Sequence, residues 1–175
     1  MEKVILVDEN DNFINVMEKM EAHRKGLLHR AFSAFIYNDK GEILLQRRAL
    51  SKYHSGGLWA NTCCSHPRYG ENIYDAVKRR LGEEMGFSCE IEEIFKFEYR
   101  AVLDNDLVEH ELDHVFIGKY NGKIEFNPDE VMEYKWISYY ELLEDVRKNS
   151  KNYTEWFKII LNTFEKEKLY DFFIF

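Results

Sequence analysis

One run of this 175-residue sequence, Asn61-Thr62-Cys63-Cys64-Ser65-His66-Pro67, places a thiol and an imidazole close together, and carboxylates follow at Glu71, Glu83 and Glu84. Such groups are the working parts of acid–base, nucleophilic or metal-assisted chemistry. If residues 61–66 are extended, side chains alternate between faces, so Cys64 and His66 share one face and Cys63 takes the other. Only one of the adjacent cysteines can then share a site with the histidine. In an extended segment Glu109 and Glu111 also point the same way, with His110 opposite. Two such pairs meeting across a sheet, joined by His23 and His29, would gather three imidazoles and two carboxylates. That donor set suits Mn, Mg, Fe or Zn and leaves a coordination position open.

Each group also has an ordinary reading. His23 and His29 lie six apart in a stretch of little regular pattern, and spacing alone favours solvated loop histidines. Glu109 and Glu111 follow Asp104-Asn105-Asp106 in an acidic chain, and an acidic loop explains them equally well. His54, His110 and His114 are left as structural or surface residues, and Cys89 as a small buried hydrophobe. Cys64 admits that reading too, or that of a thiolate nucleophile activated by His66. The nucleophile is the weaker enzyme reading, because sharing a face does not aim a ring at a sulfur and no oxyanion hole is legible.

The elements that must position these groups are legible in part. Val4 to Val7 is a short strand; Ala31 to Tyr37 is a second, joined through Asn38-Asp39-Lys40-Gly41 to Glu42–Arg47 as a hairpin. Asn72 caps a helix with Asp75 three residues on; Ile73, Val77 and Leu81 form its apolar stripe and Gly86 ends it. Arg80 and Glu84 share another stripe of that helix, one turn apart. Glu93 to Ala101, Leu112 to Tyr120 and Glu133 to Ile137 read as strands, with Asn121-Gly122 as a turn. Ser138 with Glu141 is a capping box for a helix to about Arg147, and Trp156, Phe157, Ile160, Leu161 and Phe164 mark a last amphipathic helix. Runs of strands between helices point to an α+β fold, a mixed sheet in an α/β/α sandwich, spanning residues 1–175 as a single domain.

Composition narrows the partners. With 24 Lys+Arg against 32 Asp+Glu, a net charge of -8 argues against a broad footprint on nucleic acid or anionic membrane, while local basic clusters can still hold a small anion. Three cysteines, two of them adjacent, make a poor disulfide framework and suit a reducing compartment. The N-terminal MEKVILVDENDN lacks the apolar core and cleavage site of a signal peptide, and no segment nears the roughly 20 apolar residues that span a bilayer. A cytoplasmic protein without membrane insertion, monomer or homodimer, is expected. The apolar tail from Leu169 to Phe175 is expected to pack against the domain or a second subunit, since left free it would promote association.

Residues 65–87 resemble the Nudix box: Glu71, Arg79, Leu81, Glu83, Glu84, Gly86 and Phe87 match its pattern. Two positions depart from it, Ser65 in place of the first glycine and Arg80 in place of a metal-binding glutamate. The departures resemble one branch of the superfamily, the type I isopentenyl-diphosphate isomerases. That resemblance runs over nearly the whole chain, through Glu21-Ala22-His23, Leu28-His29-Arg30-Ala31-Phe32-Ser33, Arg47-Arg48-Ala49-Leu50-Ser51-Lys52, Gly57-Leu58-Trp59-Ala60-Asn61, Cys64-Ser65-His66-Pro67, Tyr99-Arg100-Ala101, Glu109-His110-Glu111 and Trp156.

The resemblance implies a Nudix-like fold, an isoprenoid diphosphate substrate and two metal sites. His23, His29, His66, Glu109 and Glu111 would hold a divalent ion, Mn²⁺, Mg²⁺ or Zn²⁺, and Glu84 would help hold a Mg²⁺ that bridges to the diphosphate. Cys64 and Glu111 would be the acid/base pair on opposite sides of the substrate, with Tyr99 hydrogen-bonded to the glutamate. Lys19, Arg48, Lys52 and Arg80 would neutralise the diphosphate, and Trp156 would offer its π face to a carbocation. Such a cation is trapped by water, so a small enclosed pocket is expected. Two competing functions remain: a Nudix hydrolase of nucleoside diphosphate derivatives, opposed by Arg80, and a non-catalytic metal-containing binder of isoprenoid diphosphates.

Overall fold

The computed structural model describes residues 2–103 and 106–173. Its centre is a pair of strands that the sequence makes apolar on both faces. β3 (His29–Tyr37) and β8 (Val108–Lys119) are buried along most of their length and run parallel, in register from His29 opposite Glu111 to Tyr37 opposite Lys119. A parallel pair must be covered on both faces, and helices do this. Phe32, Ala34 and Ile36 of β3 pack against α2 (Ile73–Met85) through Val77, Leu81 and Met85. Phe35 packs in the opposite core, with Leu142 of α3 (Tyr139–Lys148) and Phe157, Ile160 and Phe164 of α4 (Glu155–Glu167). The expected α+β sandwich follows from this alternation.

Among the described residues the sheet has nine strands. β8 covers one edge of β3 along its whole length, and β7 (Ile91–Val102) lies antiparallel outside β8. On the other edge β3 meets β1 (Lys3–Val7) at His29, β6 (Cys63–Ser65) at its middle and β4 (Ile43–Arg48) at its end. β4 continues the sheet through β5 (Trp59–Ala60) and β9 (Val131–Ile137). β6 and β8 therefore flank β3 from opposite edges. No helix among the described residues is long and apolar enough to cross a membrane.

Several sequence expectations change. The stretch around His23 is regular, because β2 (Phe13–Glu18) and α1 (Lys19–Lys25) occupy it. Among the described residues β2 pairs only with β1 and its burial does not alternate, and α1 is a seven-residue helix started by the Glu18 carboxylate rather than by Ser, Thr, Asn or Asp. β8 begins at Val108, four residues before the expected Leu112, since the inward-facing Glu109, Glu111 and Asp113 conceal its alternation. The Asn38–Gly41 turn forms with Gly41 at φ 73°, but β3 and β4 stay paired only at Tyr37 and Ile43. They part because β3 takes β6 and β8 as partners while β4 takes β9. The Asn72 cap accepts from the Tyr74 N–H, whereas the Ser138–Glu141 capping box forms as expected. In the C-terminal tail Phe173 is buried against Phe35, Tyr139 and Phe164. Ile174 and Phe175 of that tail, and Asp104 and Asn105 of the acidic segment, lie outside the described residues.

Gly86 holds the end of α2 against the segment before β9. It has φ 76°, and a Cβ there would collide with the Glu125 backbone carbonyl. Left-handed strain of about 1–2 kcal/mol adds to that clash, so Gly86→Ala is expected to lower stability by at least about 2 kcal/mol, measured as a lower denaturant midpoint.

Candidate active site

The fold brings four of the candidate ligands together. His23 comes from α1, His29 starts β3, His66 follows β6 and Glu111 lies on β8 opposite His29. All four are buried, and one donor atom from each lies within 4.8 Å of all the others. The reading of His23 and His29 as solvated loop histidines is overturned, since both are fully buried. So is the acidic-loop reading of Glu109 and Glu111, which face inward from a strand.

Local hydrogen bonds aim the rings. His23 Nδ1–H donates to the Lys19 carbonyl (2.7 Å) and His29 Nδ1–H to the Leu27 carbonyl (2.8 Å), which leaves the Nε2 lone pair of each ring without a hydrogen-bond partner. His29 Nε2 lies 3.4 Å from Glu111 Oε1, so two acceptors face one another. A cation between them resolves that repulsion, and neutral imidazoles whose other nitrogen is tied to a carbonyl are the usual ligands of one. The residues present thus fit a divalent metal.

The carboxylates share one phenol. Glu111 Oε1 accepts from His66 Nε2 (3.0 Å), and the Tyr99 hydroxyl reaches Glu111 Oε2 at 2.7 Å and Glu109 Oε2 at 3.1 Å. Burial opposes ionisation of Glu111, but the hydrogen bond from His66 and the facing His29 and His66 imidazoles outweigh it and hold its pKa well below the usual carboxylate range. Glu109 is pushed well above that range by burial and by the adjacent Glu111 charge. Burial lowers His66 to about 4 despite its bond to Glu111. Glu109 stands beside the four-residue cluster, linked to it through Tyr99.

Cys64 enters from the opposite edge of β3, paired with Ser33, and lines the same cavity as Glu111. Cys63 packs in the α2 core, as the period of two requires. Burial raises the Cys64 thiol well above its ordinary pKa, and the Arg48 charge offsets this only in part. Asn61 fixes the approach to this strand: its side-chain N–H groups donate to the Cys63 and Ala34 carbonyls, and its Oδ1 accepts from Trp156 Nε1.

The cavity measures about 700 Å³. It exceeds the small enclosed pocket expected, because Lys19, Arg48, Lys52 and Arg80 line it together with the reacting groups. Lys19 pairs with Glu2 (3.0 Å), Lys52 with Glu130, and Arg80 with Glu83 (2.7 Å) and Glu84 (2.5 Å). Arg48 lies over the Trp156 ring at 5.1 Å, and its Nε–H is buried without a hydrogen-bond partner. Glu84 accepts from Gln46 Nε2 (2.8 Å) and from Arg80, and each of its oxygens keeps a second lone pair for a hard cation.

Sequence reasoning passed over His54, which is buried beside Glu109 and has its pKa lowered to about 3 by desolvation and the Arg48 charge. It also passed over Glu2 and Glu130, the carboxylates that hold Lys19 and Lys52. The Gly56-Gly57 pair beside His54 was the available signal, since it marks a tight turn that fixes what precedes it. His110 and His114 bond to Glu98 and Glu93 instead, and Cys89 packs at the α2 core with its thiol raised to about 11 by burial.

The NUDIX domain family model matches residues 27–157, and this places the sandwich and its box helix α2 among Nudix proteins. The crystal structure of DR0079 from Deinococcus radiodurans has the same fold, with a TM-score of 0.71 at 20% identity over 85% of this chain and 90% of that one. The MutT protein of Methanosarcina mazei superposes with a TM-score of 0.66 at 22% identity, covering 81% and 95% of the two chains. Two sequence relatives are far more similar. Isopentenyl-diphosphate Delta-isomerase 2 of Aromatoleum aromaticum is 50% identical across 92% of this chain and 85% of its own. Isopentenyl-diphosphate Delta-isomerase of Burkholderia multivorans is 50% identical across 91% of each. Within the Nudix-domain proteins, the chain belongs to the isopentenyl-diphosphate Delta-isomerase family.

Proposed function

We propose that this protein interconverts isopentenyl diphosphate and dimethylallyl diphosphate in isoprenoid biosynthesis, by proton addition and removal through a tertiary carbocation. The observation that carries this reading is the meeting of Cys64 and Glu111 in one cavity from opposite edges of β3. One of the pair adds a proton to C4 of the alkene, which leaves the positive charge on C3. The other takes a proton from C2 and the new double bond closes between C2 and C3. In the reverse direction the two groups exchange roles.

The other residues serve that exchange. Tyr99 holds Glu111 Oε2 by its hydroxyl and keeps the carboxylate aimed. Trp156, 2% exposed, presents an indole face that stabilises a desolvated cation by roughly 2 kcal/mol or more without supplying a nucleophile. Lys19, Arg48, Lys52 and Arg80 receive the diphosphate, and Glu84 would help hold the Mg²⁺ that accompanies it. His23, His29, His66 and Glu111, with Glu109 beside them, would hold the second ion, Mn²⁺, Mg²⁺ or Zn²⁺. That ion supplies a fixed positive charge which locates the Glu111 carboxylate and tunes its proton affinity. Arg80, a cation where a hydrolase of this superfamily carries a carboxylate, speaks against diphosphate cleavage. Three free cysteines, with Cys63 and Cys64 directed into different cores, agree with a cytoplasmic protein.

Removing the Tyr99 hydroxyl takes one hydrogen bond from each glutamate, so Tyr99→Phe is expected to lower kcat by about 10–100-fold, with a much smaller change in KM, in steady-state assays. The proposal as a whole is tested by incubating the metal-loaded protein with isopentenyl diphosphate and, separately, with nucleoside diphosphate derivatives. Allylic product, lost on chelation and restored by added Mn²⁺ and Mg²⁺, with no phosphate released in either incubation, supports it. Hydrolysis of the nucleotides without isomerisation overturns it.

A further inference from the structure

We propose that His54 is a positioning residue for Glu109: its Nε2–H braces one oxygen of that carboxylate while Tyr99 holds the other. The inference rests on the metal and isomerase reading of the same site and extends it to a residue outside the ligand set.

His54 lies in the loop between β4 and β5 and is 4% exposed. Its Nδ1 is 3.2 Å from Ser55 Oγ, and in the tautomer this inference assigns the Ser55 hydroxyl donates to Nδ1 and the imidazole proton sits on Nε2. That nitrogen has no hydrogen-bond partner within ordinary geometry and lies 3.4 Å from Glu109 Oε1. Glu109 Oε2, the other oxygen, accepts from Tyr99 at 3.1 Å. A carboxylate held at one oxygen can swing about its last torsion, and one held at both cannot.

The loop is built to keep the ring there. The imidazole is wedged edge-on against Tyr53 (4.3 Å, 83°) and Trp156 (5.6 Å, 84°), with His23 at 6.4 Å. Arg48 Nη2 donates to the His54 carbonyl at 3.3 Å. Ser55 adopts φ 52°, a left-handed conformation that persists in a residue with a side chain only where the surroundings impose it. Gly56 passes so close to Leu50 that an added Cβ would lie 2.8 Å from the Leu50 carbonyl oxygen. A neutral imidazole also suits the position, since it offers a donor without adding positive charge beside a cation site.

Two variants separate the donor from the ring. His54→Phe keeps a ring between Tyr53 and Trp156 but has no N–H; His54→Gln gives up the ring but keeps an N–H of similar reach. Both are compared with the wild-type full chain, stripped of metal and titrated with Mn²⁺ without substrate. Calorimetry gives the affinity, and electron spin echo spectroscopy identifies the ion bound to imidazole nitrogen. Loss of an outer partner of a metal ligand weakens binding by about 10–100-fold, so His54→Phe is expected to lose that much at the histidine site and His54→Gln to recover most of it. At saturating Mn²⁺, kcat of His54→Phe falls while KM for isopentenyl diphosphate stays within about twofold, because Glu109 belongs to the proposed ligand set and not to the cations proposed for the diphosphate. Wild-type affinity in His54→Phe, or equal loss in both variants with unchanged thermal stability, overturns the role of His54 alone. A wild-type chain that binds no imidazole-coordinated Mn²⁺ overturns the metal reading and this inference with it.

Discussion

Replacing Cys64 with alanine lowers kcat by about 10²–10⁴-fold, the range supplied by one positioned acid or base, and leaves the melting temperature within a few degrees of wild type. The catalytic loss follows from the thiol's place. It lines the cavity on the edge of β3 opposite Glu111, and burial keeps it protonated. Alanine offers no proton at that edge, and no other thiol faces the cavity among the described residues. The small stability change follows from what stays in place. The strand remains tied by the Asn61 bonds to the Cys63 and Ala34 carbonyls, and Cys63 keeps its place in the α2 core. Steady-state kinetics beside a thermal melt checks both halves, and near wild-type isomerisation by the variant would remove Cys64 from the chemistry.

Glu111→Gln is expected to lose metal and activity together. The carboxylate accepts from His66 at 3.0 Å and from Tyr99 at 2.7 Å, and Oε1 faces His29 Nε2 at 3.4 Å. An amide has nearly the same shape, but it carries no charge and turns a donor toward one of these partners. Metal affinity should therefore fall by more than the roughly 100-fold at the upper end for an outer partner, and the acid–base contribution of about 10²–10⁴-fold goes with it. A ligand that binds only the folded chain raises its melting temperature. Chelation should consequently lower the melting temperature of the wild type and leave that of Glu111→Gln unchanged. Equal metal content in the two proteins would contradict the assignment of Glu111 as a ligand.

Both predictions concern residues whose geometry follows from a period of two. The alternation that sets Cys64 and His66 against Cys63, and Glu109 and Glu111 against His110, was legible because it depends on strand geometry alone. Caps and stripes made α2, α3 and α4 legible in the same way. What stayed hidden depends on tertiary contacts. α1 draws its N-cap from Glu18 and its stability from Ala22 packed on β1, so its short sequence carries no helix signature and His23 looked solvated. The branching of β3 toward β8, which brings His29 opposite Glu111, joins residues far apart in the chain and has no local signal. The Gly56-Gly57 pair marks the turn at His54 but not its partners, since Glu109 and Trp156 meet it only after the sheet and α4 have assembled.

The central claim is that a proton enters at one carbon and leaves from another while the diphosphate stays intact. Proton NMR of isopentenyl diphosphate with the purified protein, Mg²⁺ and Mn²⁺ in D₂O, with inorganic phosphate assayed in parallel, tests it directly. The account predicts conversion to dimethylallyl diphosphate with deuterium incorporated into the prenyl carbons and no phosphate release. Unchanged isopentenyl diphosphate in the presence of metal-loaded, folded protein would contradict it.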